Sequence, residues 1–219
     1  TSPVYRATRR ILRRWFKNLH GKIAVSPPAM DFVNKYFPGF YNIIPNGIDV
    51  ERFNRDVSPI PDLQDGKFNI LFVGRMEKRK GLRHLLSAYS QLKWDYPDTR
   101  LIIISPQQFN RECEQMMAER DIQDVMLLQD IAPEDIPRYY KSADVFCSPA
   151  TGKESFGIVL LEAMATGTPV IATDIPGHAS VMTHGQEGLF VEPENDEAIT
   201  ASLIQMIEDK VLRLECGDR

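Results

Sequence analysis

The sequence predicts an α/β protein, a parallel β-sheet sandwiched by helices, and three observations predict it. From residue 68 onward, apolar runs of strand length alternate with helical stretches, the order that builds βαβ units. The first of those runs, FNILFVG (68–74), is almost continuously apolar, as a strand covered on both faces requires. A hydrophobic content of 43% beside 26% charged residues is the balance of a folded globular chain, which excludes disorder and collagen-like repeats. With 219 residues the chain is a large single domain or one domain with an appendage.

Residues 5–19 read as a basic amphipathic helix, with Ile11, Leu12, Trp15, Phe16 and Leu19 at helical spacing and arginines between them. A short strand follows over Lys22–Ser26, then a helix opened by Pro27-Pro28. YNIIPNGID (41–49) reads as a strand closing in an Asn-Gly turn, and residues 59–66 as a loop. After the strand at 68–74, Leu82, Leu85, Leu86, Tyr89 and Leu92 mark a helix. RLIIIS (100–105) is the next strand, with a helix around 111–120. VMLLQ (125–129) is a third, with a helix over 133–141. DVFCSP (144–149) is a fourth, with a helix over Phe156–Ala165. PVIAT (169–173) is a fifth strand, Gly188–Val191 a short sixth, and 195–208 a closing helix.

The formal charge of −4 gives no bulk argument for nucleic acid. Of the 26 cations, six (Arg6, Arg9, Arg10, Arg13, Arg14, Lys17) lie in the first 17 residues, and the first acid is Asp31, so the charge is unevenly placed. Two readings fit this basic helix: its apolar stripe packs within a neighbouring domain, the preferred one, or it meets an anionic membrane surface. Three scattered cysteines without a C-x-x-C pair fit a reducing compartment and neither a disulfide scaffold nor a zinc site. Cys147 lies in a strand expected to be buried and reads as core packing. The four histidines (His20, His84, His178, His184) show no metal-ligand spacing and read as structural or solvated. No run approaches 18 apolar residues, so a membrane-spanning helix is not expected. The chain is expected to be cytoplasmic.

In a sheet of this kind ligands bind beyond the carboxyl ends of the strands, at the point where the winding reverses. The loop Gly74-Arg75-Met76-Glu77-Lys78-Arg79-Lys80-Gly81 leaves the first strand, and Arg75 and Lys80 straddle the mouth of the sheet. Two cations there suit a diphosphate, arginine as a planar fork of donors and lysine as a point charge. Taken alone, the loop fits a solvated basic turn equally well. No G-x-x-x-x-G-K-[ST] and no G-x-G-x-x-G occurs, which argues against a Walker-type phosphate loop and a nicotinamide-binding dehydrogenase.

The segment GKESFGIVLLEAMA (152–165) is more informative. Glu154 and Glu162 stand eight positions apart across a loop-to-helix junction. Amides near Ser155, Phe156, Gly157 and Ile158 open the helix and favour an anion, and Gly157 permits a close approach to the backbone. Glu162 lies in an otherwise apolar helical stretch, where a carboxylate needs partners to offset its desolvation. A ribose diol supplies two. The bland alternative is one surface glutamate and one capping acid. On the ligand reading, Glu162→Ala is expected to weaken nucleotide binding with little loss of stability.

Glu154-x7-Glu162, together with SFGIVLLEAMATGTPVIATD, VGRMEKRKG and IPNGID, resembles the donor-binding half of family 4 retaining glycosyltransferases of GT-B architecture, over roughly residues 21–208. IAVS, IPNGIDVERF, SADVFCSP and ESFGIVLLEAMA are together most similar to bacterial phosphatidylinositol mannosyltransferases. The resemblance implies a Rossmann-like sheet forming one half of a GT-B enzyme, with a short N-terminal helix–strand stub. It implies that Gly74, Arg75 and Lys80 hold the donor diphosphate, helped by amides at Phe156, Gly157, Ile158 and Val159. It places Glu162 on the ribose, Glu154 on hydroxyls of the transferred sugar, and Gln129 to Ile131 against the base. Arg75, Lys80 and Glu154 are the implied catalytic groups. The implied donor is GDP-mannose, or else a UDP-sugar, with no metal or other cofactor, a lipid or glycan acceptor and no nucleic acid. A nucleotide-binding or membrane-docking module without transferase activity is the competing class.

Three positions depart from the family pattern. Ser105 and Gln129 stand where glycine is common, and the segment 175–180 lacks the acid of a G-G-x-x-E run. The resemblance also implies a division: residues 1–40 as the end of a preceding domain with its linker, 41–209 as the sugar-nucleotide domain, and 210–219 as a tail. The acceptor domain is not among these segments. The chain alone is therefore expected to be weakly active or inactive, and any membrane contact to be peripheral, at the inner face.

Overall fold

The computed structural model describes residues 12, 14–16 and 18–219. These form two compact units that meet in sequence between Asn46 and Gly47.

In the first unit, Leu12, Arg14, Trp15 and Phe16 are helical, the chain turns from Asn18 onward, and the rest of the expected basic helix lies outside the described residues. Strand β1 (Ile23–Ala24) pairs in parallel with β2 (Asn42–Ile43). Both are shorter than the sequence suggests. Ser26 turns the chain straight into helix α1 (Pro27–Asn34): its hydroxyl accepts the Ala29 N–H at 3.1 Å, and proline opens the first turn. Pro45 has no N–H to extend the ladder beyond Ile44, whose amide reaches Ala24 O at 2.9 Å. Phe16 stacks on Phe37 at 4.3 Å with the Lys22 ammonium 5.4 Å from its centre. Trp15, Leu19, Phe32 and Phe40 are exposed.

The second unit holds six parallel strands: β3 (Phe68–Val73), β4 (Thr99–Ile104), β5 (Val125–Leu128), β6 (Val145–Ser148), β7 (Val170–Thr173) and β8 (Gly188–Val191). Their spatial order is β5-β4-β3-β6-β7-β8, so the winding runs outward from β3 to one edge and from β6 to the other. Between and after them lie α2 (Leu82–Asp95), α3 (Arg111–Glu119), α4 (Ile136–Ser142), α5 (Ile158–Ala165), α6 (Asp196–Glu208) and α7 (Lys210–Asp218). The two-residue period of a strand sorts the core into two layers. Ile70, Phe72, Leu101 and Ile103 meet Leu85, Leu86 and Tyr89 of α2, Cys113 of α3, and Ile199 and Leu203 of α6. The alternate residues Leu71, Ile102, Ile104 and Phe146 meet Tyr140 of α4 and Leu160 and Ala163 of α5. Each such aliphatic side chain contributes about 1.5–3 kcal/mol on full burial.

Residues 210–219, expected as a tail, instead form α7. Asp209 accepts the Leu212 N–H at 2.9 Å as its cap, Cys216 is buried, and Arg55 donates to Gly217 O at 2.7 Å. At the amino-terminal rim of the sheet, the Asp124 carboxylate takes Lys67 and Lys93, each at 2.7 Å. Those two hydrogen bonds hold its pKa down at about 2. On the same rim the buried Arg100 bonds Asp65 and Asn69.

All three cysteines are free and buried. Burial pushes the Cys113 thiol up to about 11 and raises Cys147 and Cys216 as well. The thiolate is the reactive form, so a thiol reagent at neutral pH should label none of the three in the folded protein and all three in denaturant. Rapid labelling of the folded chain would contradict this packing.

Candidate functional site

Two loops build the site. Residues 74–81 leave β3 and residues 149–157 leave β6, and β3 and β6 are neighbours at the point where the winding reverses. Gly74 continues the strand by one bond, its amide on Ile104 O at 3.0 Å. Lys78–Lys80 then make a single 3-10 turn that Gly81 ends with φ +73°. A Cβ on Gly81 would stand 1.8 Å from Pro149 O, so the two loops touch because this residue is glycine. The Thr151 amide fastens them through Arg79 O at 2.9 Å. From the other side the loop after β7 presses on the same segment, since a Cβ on Gly177 would lie 2.2 Å from Glu154 O.

His178 supports this arrangement from below. It is 1% exposed, with Nδ1 2.9 Å from Thr173 O and Nε2 3.3 Å from Ser148 Oγ. Burial pushes its pKa down, which favours a neutral imidazole. This bears out a structural role for that histidine.

The charged groups form a chain. Arg75 pairs with Glu77 at 2.8 Å, and Glu77 with Arg79 at 2.7 Å. Arg79 and Lys80 both reach Glu154 Oε1, at 2.7 and 2.6 Å. The sequence singled out Arg75 and Lys80 as the converging pair. The structure brings Arg79 and Lys80 together and leaves Arg75 on Glu77 with its side chain 59% exposed. The tight turn decides which of the neighbouring cations is aimed inward. Beside these residues a cleft of about 390 Å³ opens between Lys78, Arg79, Arg83, Thr151, Gly152 and Lys153.

Helix α5 begins at Ile158, two residues later than the sequence suggests, because Gly157 takes the left-handed conformation (φ +88°) as its cap while Phe156 turns into the core. Gly157 offers no side chain to the first-turn amides, and Ile158 is 41% exposed there. Ser155 precedes this turn. Val159 packs against the α4/α5 layer, as does Ile131 in the loop after β5. In that loop Gln129 accepts a hydrogen bond from Gln108.

Glu162 lies one turn into α5. The Tyr140 hydroxyl, on a side chain fully buried in α4, donates to its Oε2 at 2.8 Å. Burial pushes the Glu162 carboxyl up, and the Tyr140 bond and the charge of Arg52 pull it down. The expectation that Glu162→Ala spares stability is thereby corrected, because the truncation leaves a buried hydroxyl without its acceptor, at a cost of about 1–3 kcal/mol. Among the described residues no three His, Cys, Asp or Glu side chains gather where they could hold a metal ion. The cations, together with the uncapped helix start, can hold a diphosphate and stabilise charge developing on it.

Arg79, Tyr140 and Arg52 were absent from the residues chosen by sequence. Their partners stand 75, 22 and 110 positions away, and no local pattern signals such pairings. For Arg79 a signal existed: it belongs to the same cationic run as Lys80.

Comparison with known proteins places the chain in a family. Residues 54–219 match the family described as glycosyl transferases group 1. A phosphatidyl-myo-inositol mannosyltransferase of Mycolicibacterium smegmatis is 35% identical over 209 residues, covering 93% of this chain and 52% of that protein. A D-inositol 3-phosphate glycosyltransferase of Pseudarthrobacter chlorophenolicus is 30% identical over 207 residues, covering 88% and 48%. The chain thus spans about half the length of the curated relatives it matches. Among solved structures, the C-terminal domain of a glycosyl transferase group 1 family protein (LpcC) from Francisella tularensis superposes with a TM-score of 0.70 at 27% identity, covering 78% of this chain and 93% of that one. The Anabaena protein HepE, solved with UDP-glucose, gives a TM-score of 0.83 at 22% identity, covering 99% and 62%, and so shares the fold.

Proposed function

Because the chain belongs to the glycosyl transferases group 1 family, we propose that it is the donor-binding half of a retaining enzyme that moves mannose from GDP-mannose to a lipid such as phosphatidylinositol. The observation that carries this reading is the pairing of Arg79 and Lys80 with Glu154 at the β3/β6 switch point, four residues before α5 begins. The relatives named for mannosyl transfer to phosphatidyl-myo-inositol, at 33–35% identity, support the sugar and the acceptor class.

In this mechanism Arg79, Lys80 and Arg75 face the diphosphate with the first-turn amides of α5. As the bond to the anomeric carbon breaks, these fixed positive groups offset the charge gathering on the departing phosphate oxygen, the work a metal ion performs elsewhere. Glu154 releases its cations to the phosphates and accepts hydroxyls of the hexose. Glu162 accepts the two ribose hydroxyls, and the loop around Gln129 and Ile131 meets the base. The acceptor is held by the other half of the full-length enzyme. On this reading the site is cytoplasmic and membrane contact is peripheral.

Calorimetric titration of the chain with GDP, UDP and ADP, without metal and then with magnesium, tests this. The expected outcome is metal-independent binding with a preference for GDP. Preference for UDP would overturn the donor and assign a UDP-sugar instead. Absence of binding by all three would remove the donor site from this half and favour a module without transferase activity.

A further inference from the structure

Arg52 carries the one buried side-chain polar atom without a hydrogen-bond partner among the described residues, its Nε. Leaving such a donor idle is unfavourable, so hydrogen-bond satisfaction of the fold does not explain the placement. The side chain is nevertheless held on several sides. Its Nη2 donates to Pro133 O in the loop after β5, and its guanidinium lies 5.0 Å from the centre of the Phe53 ring. Phe53 meets Tyr140 edge-on at 6.0 Å, and Tyr140 donates to Glu162. The backbone beneath is fixed by Asp49, whose carboxylate accepts the amides of Glu51 and Arg52 at 3.1 and 3.3 Å. One residue thus touches the loop expected to meet the base, braces the ring stack beneath Glu162, and places its charge where that carboxylate feels it.

We propose that Arg52 is a positioning residue of the donor site: it holds the loop after β5 through Pro133 and, through Phe53, the Tyr140 side chain that supports Glu162, so that base and ribose are met at a fixed separation. The inference rests on the donor-site reading given under Proposed function. Two groups on other elements act on the Glu162 carboxyl. Tyr140 of α4 donates to it, and the charge of Arg52, on the 49–53 turn, favours its ionised form. Lys141, next to Tyr140, reaches Thr166 O at the far end of α5. An ionised carboxylate accepts both ribose hydroxyls, whereas a protonated one accepts poorly. Burial works against ionisation and the Arg52 charge works for it. With the charge removed, Glu162 takes up its proton at a higher pH, so nucleotide affinity is lost earlier as the solution is acidified.

The test is calorimetric titration of the chain with GDP and UDP at a series of pH values from neutral toward acid, across which a carboxyl raised by burial takes up its proton. Arg52→Gln, Arg52→Lys and Glu162→Gln are compared with the parent, with thermal melts of each. Arg52→Gln should weaken binding about tenfold at neutral pH and move the acid-side midpoint upward. Arg52→Lys should keep the parental midpoint while losing several-fold in affinity, because a point charge does not reproduce the fork. The titration of the nucleotide's own phosphate is common to all four proteins and cancels in the comparison. Arg52→Gln with parental affinity and midpoint overturns the inference, as does a lower Tm with an unmoved midpoint. Should that variant fail to fold, Arg52→Lys decides, with undiminished affinity overturning the inference. Unchanged binding by Glu162→Gln removes the ribose assignment itself. A weak Glu162→Gln beside an unaltered Arg52→Gln removes Arg52 alone.

Discussion

Lys80→Ala is expected to weaken nucleoside diphosphate binding by on the order of 10- to 100-fold, the worth of one charge-assisted hydrogen bond to phosphate in a partly desolvated site. Lys80 is suited to that effect, being only 18% exposed and 2.6 Å from Glu154. Its loss does not strand the glutamate, because Arg79 still holds Glu154 at 2.7 Å, so the melting temperature should barely move. Arg75→Ala is the contrasting case. Its side chain is 59% exposed and turned onto Glu77, so any contact it makes to phosphate is screened by solvent and the loss should stay within a few-fold. Titration with GDP and UDP reads both. A Lys80→Ala protein that binds as tightly as its parent would remove this lysine from the site.

The second large effect is expected at Gly81. Alanine there meets two obstacles together: a left-handed backbone costing about 1–2 kcal/mol for a residue with a Cβ, and Pro149 O, 1.8 Å from where that Cβ would sit. Neither loop can yield. Arg79 O is bonded to the Thr151 amide, and Ala150 O accepts the Thr173 hydroxyl at 2.5 Å. Gly81→Ala should therefore cost about 3 kcal/mol or more in urea unfolding and pull the cations away from Glu154, so that nucleotide binding falls as well. Gly47, with open space around its Cβ position and no positive φ, is the control, and Gly47→Ala should fall within about 0.5 kcal/mol of the parent. A stable Gly81→Ala protein with parental affinity would show that the loop contact is dispensable.

The parallel sheet was legible because strands buried on both faces leave unbroken apolar runs, and each such run from FNILFV to GLFV became a strand within a residue or two of its expected ends. Where local chemistry overrode hydrophobicity, the reading slipped. Phe156 looks like the first residue of an apolar helix, yet the glycine after it takes the cap and the ring is buried instead. Residues 210–219 read only as a tail, although Asp209 is an N-cap of the ordinary kind and a helix follows it. In the candidate site, one loop and one spacing singled out Lys80, Glu154 and Glu162, and the structure sets Lys80 against Glu154 and the Tyr140 hydroxyl against Glu162. Which arginine turns inward, and which tyrosine supports Glu162, depends on crossings between β3, α4 and α5 that no one-dimensional pattern records.

The opposite rims of the sheet divide the labour. Lys67, Lys93 and Asp124, with Arg100, Asp65 and Asn69, fasten the rim where the strands begin. The loops carrying Lys80 and Glu154 occupy the rim where β3 and β6 end. Roughly 20 Å of strand separates them, at about 3.3 Å for each of the six residues of β3. Substitutions that far apart combine additively, to within about 0.5 kcal/mol. A lineage carrying this domain can therefore change the loops of one rim while the fastenings of the other stay in place, so that new specificity is explored without the scaffold being put at risk.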